Sequence, residues 1–236
     1  PTIFYIQGNY ATPQSAQGSV AVKFNSAQTA GNLNVVVVGW NDSTATVSSV
    51  TDSKGNIYQR AIGPTVVSGL LTQSIYFAKN IVSASAGANI VTVLFSSAAS
   101  FPDVRVVEYS GADLSSPVDV TKAGTGKGGT SNSGSVTTTN PTDLIFGANT
   151  VTGSTKGPGN GFTQRLLTVP DGDIVEDRMV AVTGSYSATA AVSGGRWIMQ
   201  MVAFRTQVGG GVDTQPPTAP TNLTGAAVSG TQINLS

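Results

Sequence analysis

The chain contains no cysteine and no histidine. A Ser-His-Asp triad, a Cys-His nucleophile pair, a histidine-ligated zinc or copper centre and a cysteine-held iron–sulfur cluster all need residues that are absent here. Charge is scarce as well, with twelve basic and twelve acidic side chains making up 10% of the chain and a formal net charge of zero. Without a basic excess there is no electrostatic footprint for nucleic acid or an anionic membrane surface. Apolar runs are short. The longest, Val35–Val38, falls far below the roughly 20 residues that span a bilayer, so no membrane span is expected. Pro1 onward shows no basic stretch followed by an apolar one, so any secretory signal has been removed or was never part of this sequence. A secreted, extracellular protein is expected from the cysteine-free, Ser-, Thr-, Gly- and Asn-rich β pattern as a whole.

Apolar residues instead come in short Val- and Ile-rich stretches closed by Gly, Ser, Thr and Asn, with no 3.6-residue periodicity between them. The strand candidates begin with Ile3–Gln7, Ser19–Phe24, Leu33–Trp40, Thr46–Thr51, Ile57–Ile62, Gln73–Lys79, Ala88–Phe95 and Val104–Tyr109. They continue with Val118–Lys122, Gly134–Thr139, Asp143–Thr150, Phe162–Leu167, Ile174–Val182, Ser185–Val192 and Arg196–Arg205. Many short strands at regular spacing predict an all-β fold, an antiparallel two-sheet sandwich that is jelly-roll-like, over residues 1–206. Turn chemistry at Asp52–Asn56 and at Gly194-Gly195 predicts two hairpins. The Gly- and Ser-rich stretch Ala123–Ser135 reads as a long surface loop, and residues 207–220, with Gly209–Gly211, Pro216, Pro217 and Pro220, read as a linker.

The segment after that linker carries Pro216, Pro217, Pro220 and Leu223, then Ile233-Asn234-Leu235-Ser236. This pattern resembles the start of a fibronectin type III domain. In such domains a tryptophan follows that last serine, so the resemblance implies an incomplete first strand at 221–236 and fibronectin type III modules as neighbours. Residues 1–206 more loosely resemble jelly-roll-like modules of secreted multimodular bacterial proteins, on Asn25–Leu33, Val50–Tyr58, Val107–Gly111 and Met199–Phe204. That resemblance implies a β module in an extracellular assembly and transfers no catalytic residue.

Sugar-binding sandwiches stack aromatic rings on pyranose faces and satisfy the hydroxyls with amides, carboxylates and Arg. Trp40, before Asn41-Asp42, is one candidate, with a strand-end ring capping the core as the alternative; Tyr58, Tyr186 and Trp197 are the others. Alternation places Trp197, Met199, Met201 and Ala203 on one face and Ile198, Gln200, Val202 and Phe204 on the other, which suits a central strand. Four carboxylates, Asp171, Asp173, Glu176 and Asp177, lie within seven residues and offer oxygen ligands for Ca²⁺; a solvated acidic turn is the alternative. No cofactor is required by anything in the sequence. Acid–base catalysis on a glycan would need a carboxylate pair, for which Glu108 and Glu176, or Asp171, are the candidates. Alternation sets Glu108 on the face of Val104 and Val106, paired with a cation such as Arg105 or Arg165 or else free for catalysis.

Three functions follow as expectations. The first is a non-catalytic module of a secreted multimodular protein that binds polysaccharide or another cell-surface glycan. The second is a structural subunit of a filament, adhesin or surface layer that self-assembles by donating Thr2–Gln7 or Gln232–Ser236 to an open sheet edge. A glycoside hydrolase or polysaccharide lyase is the third.

Overall fold

A computed structural model describes residues 2–207 together with the strands Gly225–Ser229 and Gln232–Leu235. Among these residues there is no helix, and the all-β, antiparallel expectation holds. The first half comprises β1 (Phe4–Ala11), β2 (Gln17–Lys23), β3 (Leu33–Trp40), β4 (Val47–Asp52), β5 (Gln59–Val67), β6 (Leu71–Ala78), β7 (Ile90–Ala99) and β8 (Asp103–Ser110). The second comprises β9 (Val118–Lys127), β10 (Thr130–Asn132), β11 (Val136–Thr137), β12 (Asp143–Val151), β13 (Thr155–Pro158), β14 (Thr163–Leu167), β15 (Ile174–Val180), β16 (Ser185–Tyr186), β17 (Thr189–Val192) and β18 (Arg196–Arg205).

Each half is a sandwich of two sheets, so four principal sheets stack. The first half forms a five-stranded inner sheet, β1-β8-β3-β6-β5, and a three-stranded outer sheet, β2-β7-β4. In the second half the inner sheet runs β9-β18-β12-β15-β14 and the outer one β10-β17-β13, with β11 and β16 as an added pair. Strand for strand the two orders match, so the fold is a duplication. From β1 to β5 successive strands alternate between inner and outer sheet; β5 then pairs with β6 in the inner sheet, as β14 pairs with β15 in the second half.

Three apolar cores separate the four layers. The central one joins the halves, with Leu33, Val35, Val37, Ile75, Phe77, Val107 and Tyr109 packed against Leu144, Phe146, Ala148, Val175, Val202 and Phe204. Each outer core lies between an inner sheet and its three-stranded cover. Strand β3 is therefore buried on both faces, which explains the unbroken Val35–Val38 run: one face meets the other half, the other meets the outer sheet. The two faces assigned to β18 hold, with Trp197, Met199, Met201 and Ala203 in one core and Val202 and Phe204 in another.

This layering overturns three local expectations. The Asp52–Asn56 turn is present, with Asp52 Oδ1 accepting from the Lys54 and Asn56 amides, yet it carries the chain from an outer to an inner sheet and makes no hairpin. Gly194-Gly195 likewise links β17 and β18, which belong to different sheets. Much of Ala123–Ser135 is strand, not loop. Gly124 and Gly126 are small because the Asn132 carbonyl and the Trp197 ring occupy the space their side chains would need. The expected linker lies outside the described residues from position 208 onward. Within 221–236, read as one incomplete strand, β19 (Gly225–Ser229) and β20 (Gln232–Leu235) form an antiparallel pair.

Candidate functional site

Register exposes an approximate two-fold relation between the halves. Leu33 opposes Tyr109 as Leu144 opposes Phe204, and Val37 opposes Arg105 as Ala148 opposes Gln200. On the other flank, Val35 opposes Phe77 as Phe146 opposes Asp177, and two steps on Val37 opposes Ile75 as Ala148 opposes Val175. Continuing that register makes Gln73 the counterpart of Asp173, and Gly39 the counterpart of Thr150. Contacts across the central core obey the same relation. Tyr109 donates to Asp177 Oδ2 at 2.7 Å, while in the matching place the Phe204 and Phe77 rings meet edge to face at 6.3 Å. Gly39 and Thr150, each other's counterparts, meet at the axis, where a Cβ on Gly39 would lie 3.1 Å from Thr150 Cγ2 and closer still to its hydroxyl.

The relation breaks at one end of the interface. On one side Gln73 Nε2 donates to Gln200 Oε1 at 3.1 Å, and Gln200 in turn donates to the Gln73 carbonyl. Their counterparts on the other side are Asp173 and Arg105. Arg105 is completely buried and donates from Nη1 to the Asn149 and Ile174 carbonyls at 2.7 and 2.8 Å. Its Nε lies 2.6 Å from Asp103 Oδ1, and its Nη2 lies 3.8 Å from Asp173 Oδ2. Where Asp103 stands, the other half has Ile198. Two buried carboxylates and one guanidinium thus replace a neutral amide pair that the same fold accommodates.

Burial pushes the carboxyl of Asp173 well above the ordinary carboxylate range, with the nearby Asp103 charge adding to it and Arg105 opposing. Desolvation raises Asp103 too, against the pull of Arg105. Apart from Arg105 and a nearby Thr168 hydroxyl, the Asp103 carboxylate has no partner at hydrogen-bonding geometry among the described residues. Beside it opens a polar cleft of about 280 Å³, bordered by Asp103, Asp173, Asp171, Asn41 and Gln14. Phe101 stands on the rim, 45% exposed, with a backbone φ of +45°. A left-handed conformation at a bulky residue costs on the order of 1–3 kcal/mol and concentrates at functional sites. An exposed ring, acceptors and amides around one cleft can stack on an apolar sugar face and bind its hydroxyls.

The residues singled out in the sequence lie elsewhere, apart from Asp171 and Asp173. Trp40, 1% exposed, packs edge to face on Phe95 at 5.5 Å in the first outer core, so its ring presents no face to a glycan. Trp197, 8% exposed, packs over Gly126 and donates from Nε1 to the Gly128 carbonyl. Half-buried Tyr58 donates to Asp52 Oδ2 and accepts from Asn34, and the Tyr186 ring has the Arg178 guanidinium over it at 5.6 Å. Phe101 is missed by sequence reasoning because Ser100-Phe101-Pro102 belongs to no alternating pattern; its one signal is an apolar ring set between turn residues.

The acidic run is a turn only at its start. Residues 174–180 form β15 in the second inner sheet, so alternate side chains leave on opposite faces and the four carboxylates diverge. Asp171 accepts from Gln14 Nε2 at 2.8 Å, Asp173 faces Arg105, and Asp177 takes a two-pronged contact from Arg165. Glu176 turns toward the outer layer to accept from the Gly159 amide at 2.8 Å. Among the described residues no group of three or more acidic side chains is arranged to hold a metal ion, which corrects the Ca²⁺ ligand set. Glu108 is also buried, but it is held by Asn32 Nδ2 at 2.6 Å and Gln7 Nε2 at 2.7 Å, not by a cation. Glu108 and Glu176 face the outer layers of different halves and form no carboxylate pair.

Burial lifts the Glu176 carboxyl to about 7, against hydrogen bonds from Gly159 and Thr189. A carboxyl whose folded value lies above its ordinary 4.5 binds more protons in the native state, so its stabilisation is complete below pH 4.5 and is lost as pH rises through 7. We expect unfolding free energy to fall across that window by up to about 3 kcal/mol from this group. Glu176→Gln should flatten that part of the profile in denaturant titrations at successive pH values. An unchanged slope would show that the group is not protonated in the fold.

Compared with protein-family models, with curated proteins and with solved structures, the chain matches none.

Proposed function

We propose that this chain is a non-catalytic module of a secreted multimodular protein, and that it binds polysaccharide or another cell-surface glycan in the cleft beneath Phe101. The observation that carries the reading is the break in two-fold symmetry: charged, buried side chains stand beside the cleft where the duplicate half has neutral ones. Buried charges are costly unless they are paired, and function is one reason to retain them. The strained, exposed Phe101 ring on the same rim supports the assignment, as do the accessible Asp171 carboxylate and the Asn41 and Gln14 amides that border the cleft. Strand donation has weaker support, since Phe4–Ala11 already pairs along β8.

Phe101→Ala should weaken retention on the preferred polysaccharide about tenfold, as loss of one stacking ring does, while thermal stability stays close to that of the wild type, because the ring is exposed and alanine keeps the Cβ that disfavours the left-handed backbone. Affinity electrophoresis through a panel of soluble polysaccharides measures it. If the wild-type chain is retarded by none of them the reading fails, and if the variant is retarded equally the cleft is the wrong place.

A further inference from the structure

Asn160-Gly161 is the one Asn-Gly pair in the chain. It sits at the tip of the turn between β13 and β14, which the Phe162 amide closes on the Gly159 carbonyl at 3.0 Å. Gly161 takes a φ of +78°, and both residues are exposed. Glycine adopts that conformation freely, and without a Cβ it leaves its own amide nitrogen open to approach. Among the described residues, neither that nitrogen nor the Asn160 side chain makes a hydrogen bond.

The two Asn-Ser pairs and the one Asp-Gly pair are blocked from the reaction that such pairs undergo, in which the next backbone nitrogen loses its proton and turns onto the side-chain carbonyl. At Asn25-Ser26 that nitrogen donates to Gln7 Oε1 at 2.8 Å, and at Asn132-Ser133 to the Ala188 carbonyl at 3.0 Å. At Asp171-Gly172 it donates to the Thr168 carbonyl at 2.9 Å. Beside Asn160 there is also a cation. Arg178, which makes no ion pair among the described residues, has Nη1 3.5 Å from where a Cβ on Gly161 would stand. A guanidinium there favours both the deprotonated amide and the negative charge that collects on Asn160 Oδ1.

We infer that Asn160 is a site of self-modification, converted through a succinimide to aspartate and isoaspartate with water as the co-reactant. The Gly161 nitrogen gives its proton to solvent and bonds to Asn160 Cγ. The Cγ–Nδ2 bond then breaks, and the amide nitrogen leaves as ammonia after taking a proton from water. Water opens the ring at either carbonyl: attack at Cγ gives aspartate, and attack at the main-chain carbonyl gives isoaspartate, with one methylene added to the backbone. Either product sets a new carboxylate next to the Gly159 amide that holds Glu176, in the turn that Arg178 borders.

The full chain, held for weeks in mildly alkaline buffer and then digested and mapped by mass spectrometry, tests this. The peptide carrying Asn160 should gain about 1 Da and split into two chromatographic species, while those carrying Asn25 and Asn132 keep their mass. In urea that selection should fade, because unfolding frees the Ser26 and Ser133 nitrogens and their peptides convert as well. Arg178→Gln should slow conversion in the folded chain about threefold, the effect of removing one nearby charge in a water-like dielectric, and leave the rate in urea unchanged. The inference is overturned if Asn160 stays intact in the folded chain, if Asn25 or Asn132 converts as fast there, or if folded Arg178→Gln reacts at the wild-type rate.

Discussion

Replacing Gly39 with alanine should destabilise the fold by about 3 kcal/mol, the upper end of the usual range for overpacking a core. The new Cβ would overlap the Thr150 hydroxyl and sit 3.1 Å and 3.2 Å from Thr150 Cγ2 and Cβ. Neither partner has room to yield, because β3 and β12 are central strands of the two inner sheets and meet there at the two-fold axis. Thr150 Oγ1 is further tied to Gln73 Oε1 at 2.6 Å and to Arg105 Nη2 at 3.3 Å. Urea denaturation of Gly39→Ala, Thr150→Ala and the double variant checks this. Thr150→Ala should be destabilising alone, yet the double variant should be more stable than the sum of the two predicts, with a coupling of about 1 kcal/mol or more. A Gly39→Ala chain as stable as the wild type would mean that the halves do not meet at these residues.

The second large effect concerns the buried charges. Arg105→Gln removes the cation between Asp103 and Asp173 and should cost about 3–5 kcal/mol at neutral pH, the range for breaking a buried ion pair from one side. Both carboxyls are already raised in the fold, so protonation relieves the loss: the deficit should shrink as pH falls toward the ordinary carboxylate range and grow as pH rises above it. The triple variant Asp103→Ile, Arg105→Gln, Asp173→Gln installs the residues found at the matching positions Ile198, Gln200 and Gln73. It should recover wild-type stability or exceed it, because a satisfied neutral pair avoids the desolvation of three charges. Glycan retention should be lost in the same protein. A stable triple variant that still binds would separate the ion cluster from the binding site, and an unstable one would show that the two sides of the interface are not interchangeable.

Strand positions are readable because they depend on neighbours in sequence. β-Branched runs closed by Gly, Asn and Ser locate β3, β8, β12 and β18 to within a residue or so at most of their ends, and alternation along β18 assigns its faces. The duplication is not readable. Matched by register, Leu33–Trp40 and Leu144–Val151 share only their first residue, since a core position asks for apolar volume and not for identity. Low complexity misleads at Ala123–Ser135, where Gly124 and Gly126 are set by what packs on them from β10 and β18.

Composition and local pattern therefore determined the secondary-structure class, the absence of histidine and cysteine chemistry, and the two-faced burial of β18, all of which follow from residue types and a two-residue period. Which sheet each strand joins, that four layers stack, and that Asp103, Arg105 and Asp173 gather beside Phe101 were decided only by tertiary structure. Such contacts join residues far apart in the chain, and no short-range signal in the sequence encodes them.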